Sequence, residues 1–161
     1  MDPRIDSALE WFARIYLDGI PVLLQKNDTS FLSFLCVVAA TDAIAGYRYP
    51  GGSNARFPKF IRNYFPSSYA THADNLYLFR CRMLHNFSPA YFSLVHATPA
   101  DHLMPSRFGD TCLSDAQFFS DFSAASERYF AELRNDQSLQ VAMLRRLEDI
   151  GNGGAIGVST L

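Results

Sequence analysis

The run FLSFLCVVAATDAIAG, residues 31–46, is apolar on nearly every side when wound at 3.6 residues per turn. A surface helix keeps one polar face; this one has none and needs neighbours all round it. That requirement predicts a helical bundle built about the segment. Its single carboxylate, Asp42, is the only acid or base between Asp28 and Arg48. No apolar run reads as long enough to span a membrane. The opening MDPRIDSALEWF carries acids where a secretory leader would carry bases, so no membrane partner and a cytoplasmic setting are expected.

The rest of the chain supplies the neighbours. Asp2 and Pro3 form an N-cap and N1 pair, followed at helical spacing by Ile5, Leu9, Phe12, Ile15 and Tyr16. Gly19 and Pro21 should interrupt that helix. Gly46 closes the central helix, YRYPGGSN reads as a loop, and FPKFIRNYF as a short helix with Phe57, Phe60, Ile61 and Tyr64 on one side. Thr71 with Asp74 forms a weak capping box for a helix that should end near Phe87, since Pro89 disfavours a helical Ser88. Between residues 89 and 113 the pattern changes. YFSLVHA reads as a strand, TPADH and PSRFGD as turns, and TCLS as a return strand, which together predict a small β-hairpin insert near residues 90–113. Ser114 and Gln117 make a second capping box, with Phe118, Phe122, Ala125, Tyr129 and Leu133 as the stripe behind it. A last helix covers about 138–150. The expectation is one all-α domain of four to six helices over residues 1–150, with a flexible glycine-rich tail at 151–161.

Charge is distributed unevenly. The chain's net charge is −2, yet from residue 43 to residue 100 the bases Arg48, Arg56, Lys59, Arg62, Arg80 and Arg82 face one acid, Asp74. Aromatics interleave with them, as in RFPKFIRNYF. Charge for phosphates and rings for bases is the composition of a single-stranded nucleic-acid surface, although a solvated face over an aromatic core has the same composition. The cysteines Cys36, Cys81 and Cys112 form no CxxC pair and read as free thiols. His72, His96 and His102 pair with no other ligand type at metal spacing, so neither a metal nor another cofactor is expected.

In LYLFRCRMLHNFSP, residues 76–89, an arginine occupies a hydrophobic position. Leu76, Phe79, Met83 and Phe87 fall on one helical face, with Tyr77 and Leu84 on its flank, and Arg80 lies about 40° from Leu76, inside the apolar stripe. An unpaired buried guanidinium costs several kcal/mol, so a partner is required, and Asp42 is the economical one. Such a pair is either a structural ion pair or a bracket that holds Arg80 at a cleft edge with donors to spare. His85 follows about 140° further round, near the negative end of the helix. Histidine carries protons near neutral pH and arginine stabilises charge developing on phosphorus, so the two suffice for RNA cleavage without a metal.

The segment RCRMLH resembles the R-x4-6-H signature of HEPN domains, helical bundles found among prokaryotic toxin, defence and RNA-processing ribonucleases. The buried VVAATDAIAG helix, LYLFRCRMLH, a short β insert and a final helix extend the likeness over most of residues 5–148. The resemblance implies a HEPN-like fold and a homodimer whose Arg80–His85 sets face each other across a shared cleft. It implies metal-independent endoribonuclease activity leaving 2′,3′-cyclic phosphates, with a protein partner such as an antitoxin as a further expectation. Cys81 departs from the pattern, because active members often place a polar residue after the arginine and a thiol is a poor hydrogen-bond donor. Arg82 could compensate as a phosphate contact. The family also holds non-catalytic binding or scaffolding modules, so two alternatives stand: a ribonuclease, or such a module with Arg80–Asp42 as a structural pair.

Overall fold

The central helix, α3 (Asn27–Arg48), buries Val38, Ala40, Ile44 and Ala45 completely. The computed structural model describes residues 1–151, so all but the first residue of the glycine-rich tail lies outside the described residues. The polar residues of α3 do not interrupt its burial, because Thr41 returns its hydroxyl proton to the Val37 carbonyl at 2.7 Å and Ser33 does the same to Ser30. By length and composition α3 does qualify as a membrane span, contrary to the reading from sequence. Here 61% of its most apolar window is buried within the protein, as in a core helix.

Around α3 stand α2 (Ile20–Leu23), α4 (Ser53–Tyr64), α5 (Ala73–Asn86), α6 (Asp115–Asn135) and α7 (Gln137–Asp149), while α1 (Pro3–Phe12) packs on α7. Asp2 caps α1 by accepting from the Arg4 amide at 2.9 Å, with Pro3 in its first turn. Ile5, Leu9 and Phe12 are buried as expected, but Ile15 is 43% exposed. The cause is a π-helical turn over Ala13–Leu17, closed by the Asp18 amide on the Ala13 carbonyl, which widens the spiral and rotates Ile15 outward. Gly19 follows because a Cβ there would lie 2.3 Å from the Ile15 carbonyl oxygen.

Helix α4 begins at Ser53, earlier than expected. Pro58 sits inside it, where its missing N–H deprives only the exposed Asn54 carbonyl. Phe57, Phe60, Ile61 and Tyr64 are all buried. A 3₁₀ turn (Ser67–His72) then runs directly into α5. The anticipated Thr71–Asp74 box does not form, since His72 occupies the cap position without a side-chain bond and Asp74 pairs with Arg62 at 2.5 Å. Leu76, Phe79 and Met83 are fully buried, but Phe87 is 71% exposed. It leaves the helical face because it adopts the left-handed conformation at φ 51°, ending α5 with the Ser88 amide on the Arg82 carbonyl.

The insert is not a hairpin. Strands β1 (Phe92–Val95) and β2 (Thr111–Ser114) pair in parallel, Phe92 opposite Thr111 through Val95 opposite Ser114. The sequence contains two turns between them, and two reversals restore the original direction. The segment at Leu103–Pro105 makes the antiparallel contact instead: the Leu103 amide donates to the Cys112 carbonyl, the Cys112 amide donates to the Met104 carbonyl, and Pro105 bridges Thr111. In α6 the whole predicted stripe is buried. Its Ser114–Gln117 box is absent; Asp115 accepts from the Ala97 and Ala116 amides, and Gln117 bonds Asp121. Asp136 caps α7 through the Ser138 and Leu139 amides. The described residues thus form a mainly α-helical fold with a small parallel sheet.

Candidate functional site

Arg80 meets Asp42. Helix α5 projects the guanidinium from the edge of its buried stripe onto α3, and its Nη2 lies 2.6 Å from Asp42 Oδ2. The loop after α3 brings two further donors from the start of α4. Ser53 donates to Oδ2 at 3.1 Å, and Arg56 reaches Oδ1 through Nε and Nη2, both at 3.4 Å. Arg56 also bonds the Gly51 carbonyl and the Ser53 hydroxyl. One carboxylate therefore sits between two guanidiniums. The Arg56 and Asp42 side chains are 12% exposed and that of Arg80 is 20% exposed.

The cluster carries one positive charge in excess. Burial works against the charge on Arg80, but attraction to Asp42, with the contacts to Cys81 and Asp42, outweighs it and raises the guanidinium's pKa above its ordinary value. Arg80 is not saturated. Its Nη1 has only the Cys81 sulfur at 4.0 Å, and its buried Nε has no acceptor among the described residues. Nη1 is the nitrogen left for an oxyanion, since Nε is enclosed by the protein. Cys81 itself is half-buried beside the guanidinium.

His85 is exposed on the last turn of α5 and makes no hydrogen bond to Arg80 within the chain. The remaining expected contacts are dispersed. Arg48 donates through Nε to the Tyr64 hydroxyl at 2.8 Å and lies over the Tyr49 ring. Lys59 lies 4.5 Å from the centroid of the same ring, and Arg82 sits over Tyr91. Arg62 is engaged with Asp74. Lys59, Arg62 and Arg82 are exposed, whereas Arg56 belongs to the Asp42 cluster.

Two arrangements were missed from sequence. His102 accepts the Ser114 amide at Nδ1, so its neutral ring carries the proton on Nε2 and donates to the Tyr69 hydroxyl at 2.6 Å. Tyr69 in turn donates to Asp121 at 2.8 Å. Burial lowers the His102 pKa, against the opposing pull of Asp121, and raises that of Tyr69. His96 likewise meets the fully buried Asp115 at 2.6 Å. Neither pairing has a sequence signal, because the partners lie 19 to 52 positions apart in no recurrent spacing. Comparison of the chain with protein-family models, with curated proteins and with solved structures finds no match.

Proposed function

We propose that the chain is a HEPN-like ribonuclease that cleaves RNA as a homodimer without a metal. The supporting observation is the Asp42 bracket: one carboxylate orients Arg80 while leaving two of its nitrogens without an oxygen acceptor. In the reaction, the ribose 2′-hydroxyl attacks its adjacent phosphorus and the 5′-oxygen departs. A 2′,3′-cyclic phosphate and a 5′-hydroxyl result. Arg80 stabilises the charge that builds on the phosphoryl oxygens, and His85 moves the proton from the attacking hydroxyl or to the leaving oxygen. His85 and Arg80 of one chain need not touch, because a second copy closes the cleft. Arg82, Lys59 and Arg48 supply phosphate contacts beside aromatic rings.

A second reading rests on a different observation. Both Asp42 oxygens are occupied by donors from within the chain, and α5 exposes Leu78, Leu84 and Phe87. A non-catalytic module would use Arg80–Asp42 to fix α5 and its outer face to dock a protein, which is also where an antitoxin would act.

Cleavage of single-stranded and transfer RNA in excess EDTA separates the two. On the ribonuclease reading, wild type cuts and leaves cyclic ends, while His85→Ala folds normally and loses at least about a hundredfold in rate. Equal cleavage by both proteins, or none by either, leaves the module. Sedimentation at micromolar concentration should show a dimer in either case.

A further inference from the structure

Beyond the Asp42 cluster, the C-terminal end of α3 floors a cleft of about 270 Å³ between α4 and α7. Gly46 lies at its base, and Arg56, Arg145 and Arg146 line it with Tyr47 and a single acid, Asp149. Two of the guanidiniums converge on one spot. A Cβ built on Gly46 would lie 3.3 Å from Arg56 Cζ and 3.5 Å from Arg146 Nε. They arrive from separate helices, so the fold and not local sequence brings these like charges together. At such separations the repulsion is substantial unless something offsets it. Asp42 offsets part of the Arg56 charge. The negative end of α3 attracts both groups without using their donors. The Arg146 side chain makes no hydrogen bond or ion pair with another described residue, although the residue is only half-exposed.

We propose that this cleft binds the phosphate of a phosphomonoester. Guanidinium forks match tetrahedral oxyanions with paired hydrogen bonds. Arg146 offers a fork with no partner among the described residues, and Arg56, whose nitrogens already bond Asp42, Ser53 and Gly51, adds charge beside it, which suits a doubly charged terminal phosphate better than a bridging diester. The volume lies just below the usual range for small-molecule pockets, enough for a phosphate and a small attached group. Gly46 matters because any side chain there would occupy the space the guanidiniums share. The same chemistry is offered by a free phosphorylated metabolite and by the phosphorylated end of an RNA strand. The site contains neither Arg80 nor His85, although Arg56 links it to Arg80 through Asp42, and its occupancy does not depend on cleavage.

Titration calorimetry of the full chain at low salt tests this with inorganic phosphate, uridine 5′-monophosphate, and hexauridylate bearing either a 5′-phosphate or a 5′-hydroxyl. The phosphorylated probes should bind saturably, and the 5′-hydroxyl strand at least about tenfold more weakly than its phosphorylated counterpart. Arg145→Gln and Arg146→Gln should each weaken the phosphorylated probes about tenfold, as loss of a charged hydrogen bond implies. Arg14→Gln removes the same charge on the π-helical turn after α1, away from the cleft, and should leave binding unchanged. Equal affinity for the mononucleotide and the phosphorylated strand assigns a small molecule; tighter binding of the strand assigns an RNA end. Arg145 is exposed, so its variant remains informative even where Arg146→Gln unfolds. Unchanged affinity in Arg145→Gln, or indifference to the 5′-phosphate, overturns the proposal.

Discussion

Asp42 accepts four hydrogen bonds, two from Arg56 and one each from Arg80 and Ser53. Removing it leaves two guanidiniums facing each other in a mostly buried place. Asp42→Ala should therefore lower stability by about 3 kcal/mol, the scale for breaking one side of a buried pair. Arg80→Met, which keeps the packing stem and still leaves Asp42 with Arg56, should cost clearly less. Urea midpoints of the two variants decide it: a loss in Asp42→Ala no larger than in Arg80→Met would mean that the guanidiniums relax into solvent. Half of this cluster was legible in the sequence, because an acid in an all-apolar helix and a base in an apolar stripe each lacked a reason until paired. Arg56 gave no such signal. It opens a helix whose other face is polar, so nothing distinguished it from a solvated residue, and only the turn at Gly51 and Gly52 brings it over Asp42. Phe87 was misread for a comparable reason: spacing placed it on the stripe, but the chain leaves helical geometry one residue earlier.

At the level of elements, the helices were legible because apolar spacing at 3.6 residues survives whatever packs against it. The insert was legible as strands and turns but not in its pairing, since turn composition marks where a chain reverses and not which segment it returns to. Beside the contacts of His96 and Ala97 with Asp115, the His102–Tyr69–Asp121 chain fastens the insert to α6, with Ser114 on the other imidazole nitrogen. That arrangement requires a neutral His102, because protonation would place a proton where the Ser114 amide donates. The folded pKa is lowered from the ordinary 6.5, burial being the main cause. The unfolded chain thus binds the proton more readily, so stability from this residue is complete above about pH 6.5 and is lost as pH falls from there towards the folded value. His72 acts in the same direction and Asp121 against it. Hydrogen exchange at the Leu103 and Cys112 amides, corrected for intrinsic rates, should show protection falling between pH 7 and pH 5. In His102→Asn the slope should largely vanish; an identical slope would assign the effect to other groups.

Across the whole molecule, α3 meets α2, α4, α5, α6 and α7, so none of these five helices can lose its packing without exposing part of it. Its aromatic contacts carry the connection outward. Phe34 lies 6.4 Å from the rings of both Phe79 on α5 and Phe118 on α6, and α6 in turn holds α1 through Phe12, which meets Phe130 edge-on at 5.6 Å. Exposed ties such as Arg4–Glu148 add little to this. A cavity at Phe34 should consequently be felt by every helix. Phe34→Ala is expected to lower stability by about 3–5 kcal/mol, the range for removing a buried aromatic ring. Trp11, on α1 and remote from the cavity, reports fluorescence independently of far-UV circular dichroism, which follows all the helices. Both signals should shift together along the urea axis, in wild type and in the variant, as a single cooperative unit requires. Were the Trp11 transition to stay in place while the dichroism moved, α1 with its π-helical turn would be a separately folding unit, and the central position of α3 would not extend to the amino-terminal helix.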